Sequence, residues 1–245
     1  MIKLVLFFIN FFDFFHKRKI IKFLKSKINL SNINLFLDVG GHKGETIDLF
    51  CKNFKIMKII SFEASPKNFL ILNSMKERFK KKFKQSDIVI ENLALGSQNK
   101  VVKIKEFDES SSNTISDIDQ NSAYFKKKFR ILNFFNKKKI FSETEIQVSK
   151  LIDYLNHKNL KDIDFLKIDT EGSELEILKG VEDKIKDIQI IYFEHHYDLM
   201  LKKNYKFRDI NSLLRKNNFK NVYKVKMPFR KVFEYIYINE KKETD

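Results

Sequence analysis

The sequence predicts a doubly wound α/β fold, in which a mostly parallel sheet carries helices on both faces. Short apolar runs typical of buried strands alternate along the chain with amphipathic segments typical of helices. Several of the runs end in an acidic residue, and a glycine turn follows the first one. Ligands of such folds bind beyond the carboxyl ends of the strands. The 245 residues are enough for one such domain with a full core.

The first predicted strand, residues 35–39, runs into a glycine turn, and a helix begins at Glu45. Glycine has no Cβ, so a ligand can lie against the backbone N–H groups of the turn, and the helix N-terminus favours an anion or a polar ligand. The spacing of the glycines fits a nucleoside cofactor without a pyrophosphate better than a nicotinamide dinucleotide. A tight turn without a ligand is the alternative. The candidate cofactor contacts are Asp38, Gly40, Gly41, His42 and Gly44.

The second predicted strand, residues 59–62, ends at Glu63, about 20 residues after the glycine turn. An acidic residue in this place can accept hydrogen bonds from both hydroxyls of a ribose. Neither lysine nor arginine occupies the position, so a 2′-phosphate is not expected. The alternative is a solvated strand end.

The next segments continue the alternation as far as a long region without a regular pattern. Pro66 begins a helix, because the first N–H of a helix needs no partner. Residues 108–143 are poor in glycine and rich in Ser, Asn and Lys, which predicts a lid or substrate-binding loop. Its Lys-rich part, residues 126–139, either contacts an anionic acceptor or is a solvated charge run. The predicted elements before it are a helix over 66–84, which ends in the basic patch 80–84, and strands over 88–92 and 101–107.

After the long loop, the alternation resumes and ends in a hairpin. The fourth parallel strand, residues 165–169, is apolar until it reaches Asp169, and Ser173 can cap the helix that follows. The fifth strand, residues 189–193, is followed by Glu194, His195 and His196. The remaining predicted elements are a strand over 144–149, helices over 150–156 and 208–215, and an antiparallel hairpin of residues 221–226 and 232–238.

Four motifs resemble those of the FkbM family of S-adenosylmethionine-dependent methyltransferases. They are LFLDVGGHKGE (35–45), SFEASP (61–66), ENLALGS (91–97) and FLKIDTEGSELEILKG (165–180). The resemblance covers about residues 35–194, and the last motif is its most specific part. The family's turn reads Asp-Val-Gly-Ala-Asn-x-Gly, so Gly41 and His42 depart from it. The resemblance implies a seven-stranded class I methyltransferase sheet with one reversed edge strand, and S-adenosylmethionine as the cofactor.

The resemblance also implies roles for residues near the strand ends. Asn92 is a candidate contact to the adenine or ribose, and the serine-rich stretch 110–116 resembles the family's loop near the active site. Methylation of a hydroxyl needs a base. His195 or His196 is the predicted base on chemical grounds, since histidine titrates near neutrality. Ordinary strand-end hydrogen bonds are the alternative role for the two histidines.

Two carboxylates complete the predicted catalytic group. Asp169 is predicted to face the sulfonium end of the cofactor, and Glu171 follows it within reach of the same strand end. Together with the histidine pair they could instead hold a divalent cation, but no H-x-x-x-H or D-x-D spacing supports this. No metal site is therefore predicted.

The predicted function is O-methylation of a hydroxyl on a sugar, glycan or secondary metabolite. Two alternatives belong to other classes: a basic RNA-binding or RNA-methylating protein, and a nicotinamide-dependent oxidoreductase. The net charge of +16 would suit nucleic acid, anionic lipid or an acidic glycan. It also fits a composition rich in Lys, Asn, Ile and Phe, and the lysines are scattered, so nucleic acid is not the expected partner.

The N-terminal segment raises a separate question. Residues 1–15 are strongly apolar and a basic cluster follows, but the stretch is too short to span a bilayer and is a poor signal peptide. Residues 1–20 could therefore contact a membrane surface peripherally, or pack on the domain as a helix. The predicted division is an N-terminal helix and linker, 1–30, and one methyltransferase domain, 31–245. The single cysteine, Cys51, excludes an internal disulfide and favours a cytoplasmic location, with the inner face of the membrane as an alternative.

Overall fold

The structure is a computed structural model that describes residues 2–27, 30–107, 113–126, 141–198 and 200–242. Most of the Lys-rich part of the predicted loop, residues 127–139, lies outside these ranges, as do residues 110–112 of the serine-rich stretch. In chain order, the elements are α1 (Ile2–Lys27), β1 (Asn32–Val39), α2 (Glu45–Asn53), β2 (Lys55–Phe62), α3 (Pro66–Ser74), α4 (Lys76–Lys82), β3 (Asp87–Glu91), β4 (Ala94–Gly96), β5 (Lys100–Phe107), β6 (Asp117–Ile118), β7 (Phe141–Lys150), α5 (Leu151–His157), β8 (Ile163–Ile168), α6 (Glu174–Lys179), a 3-10 helix (Glu182–Asp187), β9 (Ile188–His196), β10 (Leu201–Lys202), α7 (Phe207–Lys216), β11 (Phe219–Lys226) and β12 (Val232–Asn239).

The main sheet has seven strands in the order β11-β12-β9-β8-β1-β2-β3. The five strands from β9 to β3 pair in parallel, whereas β12 runs antiparallel to both of its neighbours. This confirms the predicted doubly wound fold and its C-terminal hairpin. The reversed strand is the second from the edge and not the edge strand, because β12 is inserted between β9 and β11.

The alternation of side chains along the strands divides the core between the two faces of the sheet. On β1, Leu35, Leu37 and Val39 face α5, α6 and α7, whereas Phe36 faces α1 and α2. Both faces are fully apolar in the middle of the sheet. Most of the buried polar side chains of the sheet lie toward the carboxyl ends of the parallel strands, which is where this class of fold binds ligands.

Two predicted strands pair with each other and not with the main sheet. β5 and β7 are antiparallel partners, and β4, which the sequence analysis did not identify, joins β7 to complete a three-stranded sheet. β4 was missed because its three residues are too few to show a pattern. In the described part of the predicted loop, β6 pairs with β10 beyond the end of β9. This pairing brings residues 113–118 to the carboxyl edge of the main sheet.

Two helices differ from their predicted form. The helix predicted over 66–84 divides into α3 and α4 at Met75, whose N–H donates to the Leu72 carbonyl three residues back at 3.1 Å. The N-terminal segment is one continuous helix, α1, and Ile20, Ile21 and Leu24 on it are buried in the core. Within the described residues, no helix has the length and apolar character needed to cross a membrane. The division of the chain at residue 30 stays a prediction.

Candidate active site

The glycine turn lies over the end of β2. The N–H groups of Gly40 and Gly41 both donate to the Phe62 carbonyl, at 2.9 and 3.0 Å. Gly40 has a φ of +92°, and a Cβ there would lie 1.9 Å from the carbonyl oxygen of Asp169. Gly44 also has a positive φ, +89°, at the start of α2. The turn therefore needs glycine for backbone conformation and for close approach to the end of β8.

Glu63 is buried at the end of β2 and is tied to the glycine turn. Its Oε2 accepts the His42 N–H at 2.7 Å and its Oε1 accepts the Ser65 N–H at 2.8 Å. Burial raises the pKa of Glu63 to about 7, although these two hydrogen bonds favour the charged form. Each carboxylate oxygen has a second lone pair, so both can still accept a hydroxyl.

His42 takes a left-handed backbone conformation, with a φ of +47°. Among residues other than glycine, asparagine and histidine are enriched in this region, so the family's asparagine and this histidine suit the same backbone. The His42 ring lies 3.1 Å from Glu45 Oε1. Asn92 is exposed, and its amide donates to the Glu63 carbonyl at 2.8 Å. Asn92 thus braces the end of β2, and its contact to an adenine or ribose stays a prediction.

A row of polar side chains crosses the sheet just before the glycine turn, at the level of Asp38. Strand register places Ser61, Asp38, Lys167 and Tyr192 side by side on β2, β1, β8 and β9. Asp38 is fully buried and accepts the Ser61 hydroxyl at 2.8 Å. Burial raises the pKa of Asp38, and the nearby Lys167 offsets this only in part. Asp38 Oδ1 has no hydrogen bond within the described residues, since the Lys167 ammonium is 3.6 Å away.

Lys167 joins the two carboxylates predicted to contact the cofactor. Its ammonium is 3.2 Å from Asp169 Oδ2, and both Lys167 and Asp38 are buried. Burial opposes the charge, but Asp169 and Asp38 outweigh it and raise the pKa of Lys167. The sequence analysis missed Lys167, although a lysine inside an otherwise apolar strand is a signal of a buried ion pair.

The two predicted histidines lie on opposite faces of the sheet. His196 is on the face of Asp169, and its ring nitrogens lie 3.2 Å from Glu171 Oε2 and 3.2 Å from Asp198 Oδ2. Burial disfavours the imidazolium, but these carboxylates outweigh it and raise the pKa of His196 to about 9. His196 is therefore a cation at neutral pH.

His195 faces α6 and α7, where its Nδ1 is 3.7 Å from Glu174 Oε2. Burial lowers the pKa of His195, so it is neutral at pH 7. The rings of Tyr197, Tyr205 and Phe207 surround it. Strand alternation separates the adjacent histidines, so the structure brings only His196 together with Asp169 and Glu171.

The described part of the serine-rich stretch contacts the same edge of the sheet. The Thr114 hydroxyl donates to the Glu171 carbonyl at 2.7 Å, and the Ser116 hydroxyl donates to the Gly172 carbonyl at 3.3 Å. The loop therefore holds the backbone that carries Glu171. Within the described residues, no group of three or more His, Cys, Asp or Glu side chains has the geometry to hold a metal ion.

Comparisons with known proteins identify the family and the fold of this chain. A model of the Methyltransferase FkbM domain matches residues 38–220, about three quarters of the chain. The chain belongs to the FkbM methyltransferase family. A curated relative of this FkbM protein is Methyltransferase 1 of Beauveria bassiana, which is 23% identical over 190 residues, or 72% of this chain and 70% of the relative.

Two solved structures show the same fold as this FkbM-family chain. FkbM from Methylobacillus flagellatus is 15% identical with a TM-score of 0.56 over 84% of this chain, which spans only 43% of that protein. TrmK of M. capricolum, in complex with S-adenosylhomocysteine, is 11% identical with a TM-score of 0.51 over 92% of this chain and 68% of its own. At these identities the likeness shows the fold alone.

This FkbM-family protein is a methyltransferase that uses S-adenosylmethionine, as the sequence resemblance implies. The structure offers a fitting cradle: glycines at which a Cβ would clash, the free lone pairs of the Glu63 oxygens, and the Oδ1 atom of Asp38, which has no hydrogen bond among the residues that the structure describes. A carboxylate beyond the second strand suits a ribose.

Proposed function

We propose that this protein transfers the methyl group of S-adenosylmethionine to a hydroxyl of a sugar, glycan or hydroxylated secondary metabolite. One observation carries the proposal: carboxylates on β8 and β9 and a cationic histidine line the edge of the sheet next to the glycine turn. This arrangement supplies hydrogen-bond acceptors for a hydroxylated acceptor and places them beside the expected cofactor. The cationic His196 at this edge suits an acceptor that also carries a negative charge.

In this proposal the cofactor supplies an activated methyl group, and the protein supplies binding and orientation. Glu63 accepts the ribose hydroxyls, and the glycine turn lets the nucleoside approach the backbone. Asp38 and Lys167 hold Asp169 in place at the side of the transferred group. Correct positioning of acceptor and donor is worth about 7–11 kcal/mol of the barrier.

The prediction that one of the two histidines is the base stays a prediction, and their surroundings favour other roles. His196 is already protonated at neutral pH, so we propose that it donates a hydrogen bond to the acceptor. His195 is neutral but only 2% exposed, and it lies across the sheet from Asp169. Its surroundings suit a role in packing.

The test is calorimetric titration with S-adenosylmethionine and, separately, with NADH, followed by transfer of a tritiated methyl group to a panel of acceptors. We expect micromolar binding of the first ligand alone and labelling of sugars or phenolic metabolites. Labelling confined to amines would contradict O-methylation. Binding of NADH alone would support the dehydrogenase alternative instead.

A second candidate function is methylation of RNA, because the net charge of +16 would suit a nucleic-acid partner. It predicts binding to bulk tRNA that weakens steeply as salt rises. It also predicts tritium transfer to tRNA that ribonuclease abolishes. Salt-sensitive binding without transfer would mark the charge as nonspecific.

Contact of the N-terminal helix with an anionic membrane surface is also proposed. The rings of Phe12 and Phe229 meet edge to face at 5.0 Å, and Asp13 pairs with Arg230 at 3.2 Å, so α1 and the β11–β12 turn form one surface. Phe12, Phe15 and Phe229 on this surface are 38%, 45% and 79% exposed. Exposed aromatic side chains beside lysines suit the interface of an anionic bilayer. A groove of about 600 Å³ between α1 and α2 adds the cations Arg18, Lys19, Lys22 and Lys25.

Sedimentation with vesicles tests this contact. We expect the wild type to sediment with phosphatidylcholine vesicles that contain a quarter phosphatidylglycerol. The triple variant Phe229→Ala, Lys19→Glu, Lys22→Glu should stay in the supernatant. Lys81→Glu with Lys84→Glu, on the exposed end of α4, is the control of equal charge change. If both variants lose vesicle binding equally, the binding depends on net charge alone and not on this surface.

A further inference from the structure

We infer that Glu194 is the catalytic residue that accepts the proton of the acceptor hydroxyl. The inference rests on the proposed O-methylation and names the group that the histidines do not supply. Glu194 ends the run of apolar residues on β9, one residue before His195. Three features of Glu194 support this role: its position in the sheet, its lack of a bonded partner within the described residues, and the charges around it.

Strand register places Glu194 in a second polar row, above that of Asp38 and Lys167. Ile168 pairs with Phe193, so Asp169, the next residue along, lies beside Glu194. On the other side Glu194 is the register partner of Glu234 on β12. Neighbouring strands are about 4.8 Å apart, so the carboxylates of this row are close neighbours on the face that carries His196.

Glu194 differs from the other carboxylates of this row in what it contacts. Asp169 is paired with Lys167, and Glu234 accepts the Tyr192 hydroxyl at 2.6 Å and is also bonded to His16. Within the described residues, Glu194 has no hydrogen-bond or ion-pair partner, and it is half-buried. Its carboxylate is thus reachable and uncommitted, whereas those of Asp169 and Glu234 already have partners.

The surroundings of Glu194 also strengthen it as a base. Burial, followed by the carboxylates of Asp169 and Glu234, raises the pKa of Glu194 well above its ordinary value, although His196 and Lys167 act against the shift. A carboxylate with a raised pKa takes a proton more readily than an ordinary one. Placing the Glu194 carboxylate beside two others, without a partner that stabilises it, lowers the stability of the fold. Such a cost indicates a functional reason for the residue.

A hydroxyl of the acceptor gives its proton to the Glu194 carboxylate, and an electron pair of the hydroxyl oxygen forms a bond to the methyl carbon. The bond between that carbon and sulfur breaks, and its electron pair stays on sulfur. The products are a methyl ether, a neutral thioether and the neutral carboxylic acid of Glu194, which returns its proton to solvent.

The experiment uses two cofactor analogues and needs no acceptor. Sinefungin carries an ammonium-bearing carbon where the cofactor carries its methylated sulfur, whereas S-adenosylhomocysteine carries a neutral sulfur without the methyl group. A base placed at the methyl group should therefore pair with the sinefungin ammonium. We expect Glu194→Gln to weaken sinefungin binding about 10–100-fold and to change S-adenosylhomocysteine binding less than about twofold, as a charge-assisted hydrogen bond would. Calorimetry on the full chain gives both constants.

Glu234→Gln is the matched control, because it makes the same change on the register partner of Glu194. Its ratio of sinefungin to S-adenosylhomocysteine affinity should equal that of the wild type. An unchanged ratio in Glu194→Gln, or equal changes in both variants, would overturn the inference and leave the proposed function standing. A wild-type protein that binds neither analogue would overturn both.

Discussion

The backbone N–H of His42 donates to Glu63 Oε2 at 2.7 Å, and this hydrogen bond joins the glycine turn after β1 to the end of β2. The two residues are 21 positions apart in sequence. In the proposed function, this contact sets the distance between the turn expected to receive the nucleoside and the carboxylate expected to receive its ribose. It also explains why the turn tolerates histidine: the left-handed backbone of His42 aims its N–H at Glu63.

Cofactor affinity should depend on the charge of Glu63. The pKa of Glu63 is about 7, and ribose hydroxyls bond more strongly to a charged carboxylate than to a neutral carboxyl. We therefore expect the affinity for S-adenosylmethionine to rise from pH 6 to pH 8. Glu63→Gln should bind about 10–100-fold more weakly at pH 8 and lose most of the pH dependence. Glu91→Gln, at the end of β3, is the calorimetric control and should bind as the wild type does.

Gly40→Ala should destabilise the fold as well as weaken cofactor binding. Its Cβ would lie 1.9 Å from the Asp169 carbonyl oxygen, and its φ of +92° strains any other residue. The expected loss in free energy of unfolding is at least about 2 kcal/mol, measured by urea denaturation. Gly96→Ala has an ordinary φ and meets only the Val148 side chain, at 2.8 Å. A smaller loss at Gly40 than at Gly96 would contradict the close approach of β1 and β8.

Lys167→Met should lower the free energy of unfolding by about 3–5 kcal/mol, because it leaves the buried Asp38 and its neighbour Asp169 without a counter-charge. Lys179→Met breaks an exposed ion pair with Glu176 at 2.9 Å and should cost no more than about 1 kcal/mol. Thermal and urea unfolding measure both. Equal effects of the two substitutions would show that Lys167 is not a buried bridge.

The charge of His196 should make stability fall at alkaline pH. Its pKa is about 9 in the folded protein against an ordinary value of 6.5, so its stabilising contribution is complete below pH 6.5 and is lost as the pH rises through 9. The difference in unfolding free energy between the wild type and His196→Gln should therefore shrink by roughly 3 kcal/mol across this range. His195→Gln should show no such alkaline loss. A flat difference for His196→Gln would mean that the imidazole is neutral in the folded state.

The glycine turn and Glu63 could be predicted because their signals are local. A short strand, glycines at fixed spacing and an acidic residue about 20 positions later are all readable along the chain. The same kind of signal gave the doubly wound fold. The exposed face and the buried face of a strand are readable too, and a period of two places His195 and His196 on opposite sides. By chemistry alone either histidine fits the predicted base, but the sheet places only His196 on the face of Asp169.

The polar rows across the sheet required the tertiary structure. Lys167 meets Asp38, and Glu194 meets Glu234, only through the register between strands that are far apart in sequence. His16 reaches Glu234 across 218 positions because α1 packs on that face. The sequence by itself determined the longer elements and their order, since propensity and periodicity act over a few residues. Only the tertiary structure decided which charges share a face of the sheet. Strand pairing, burial and the resulting pKa values depend on neighbours that are far apart in sequence.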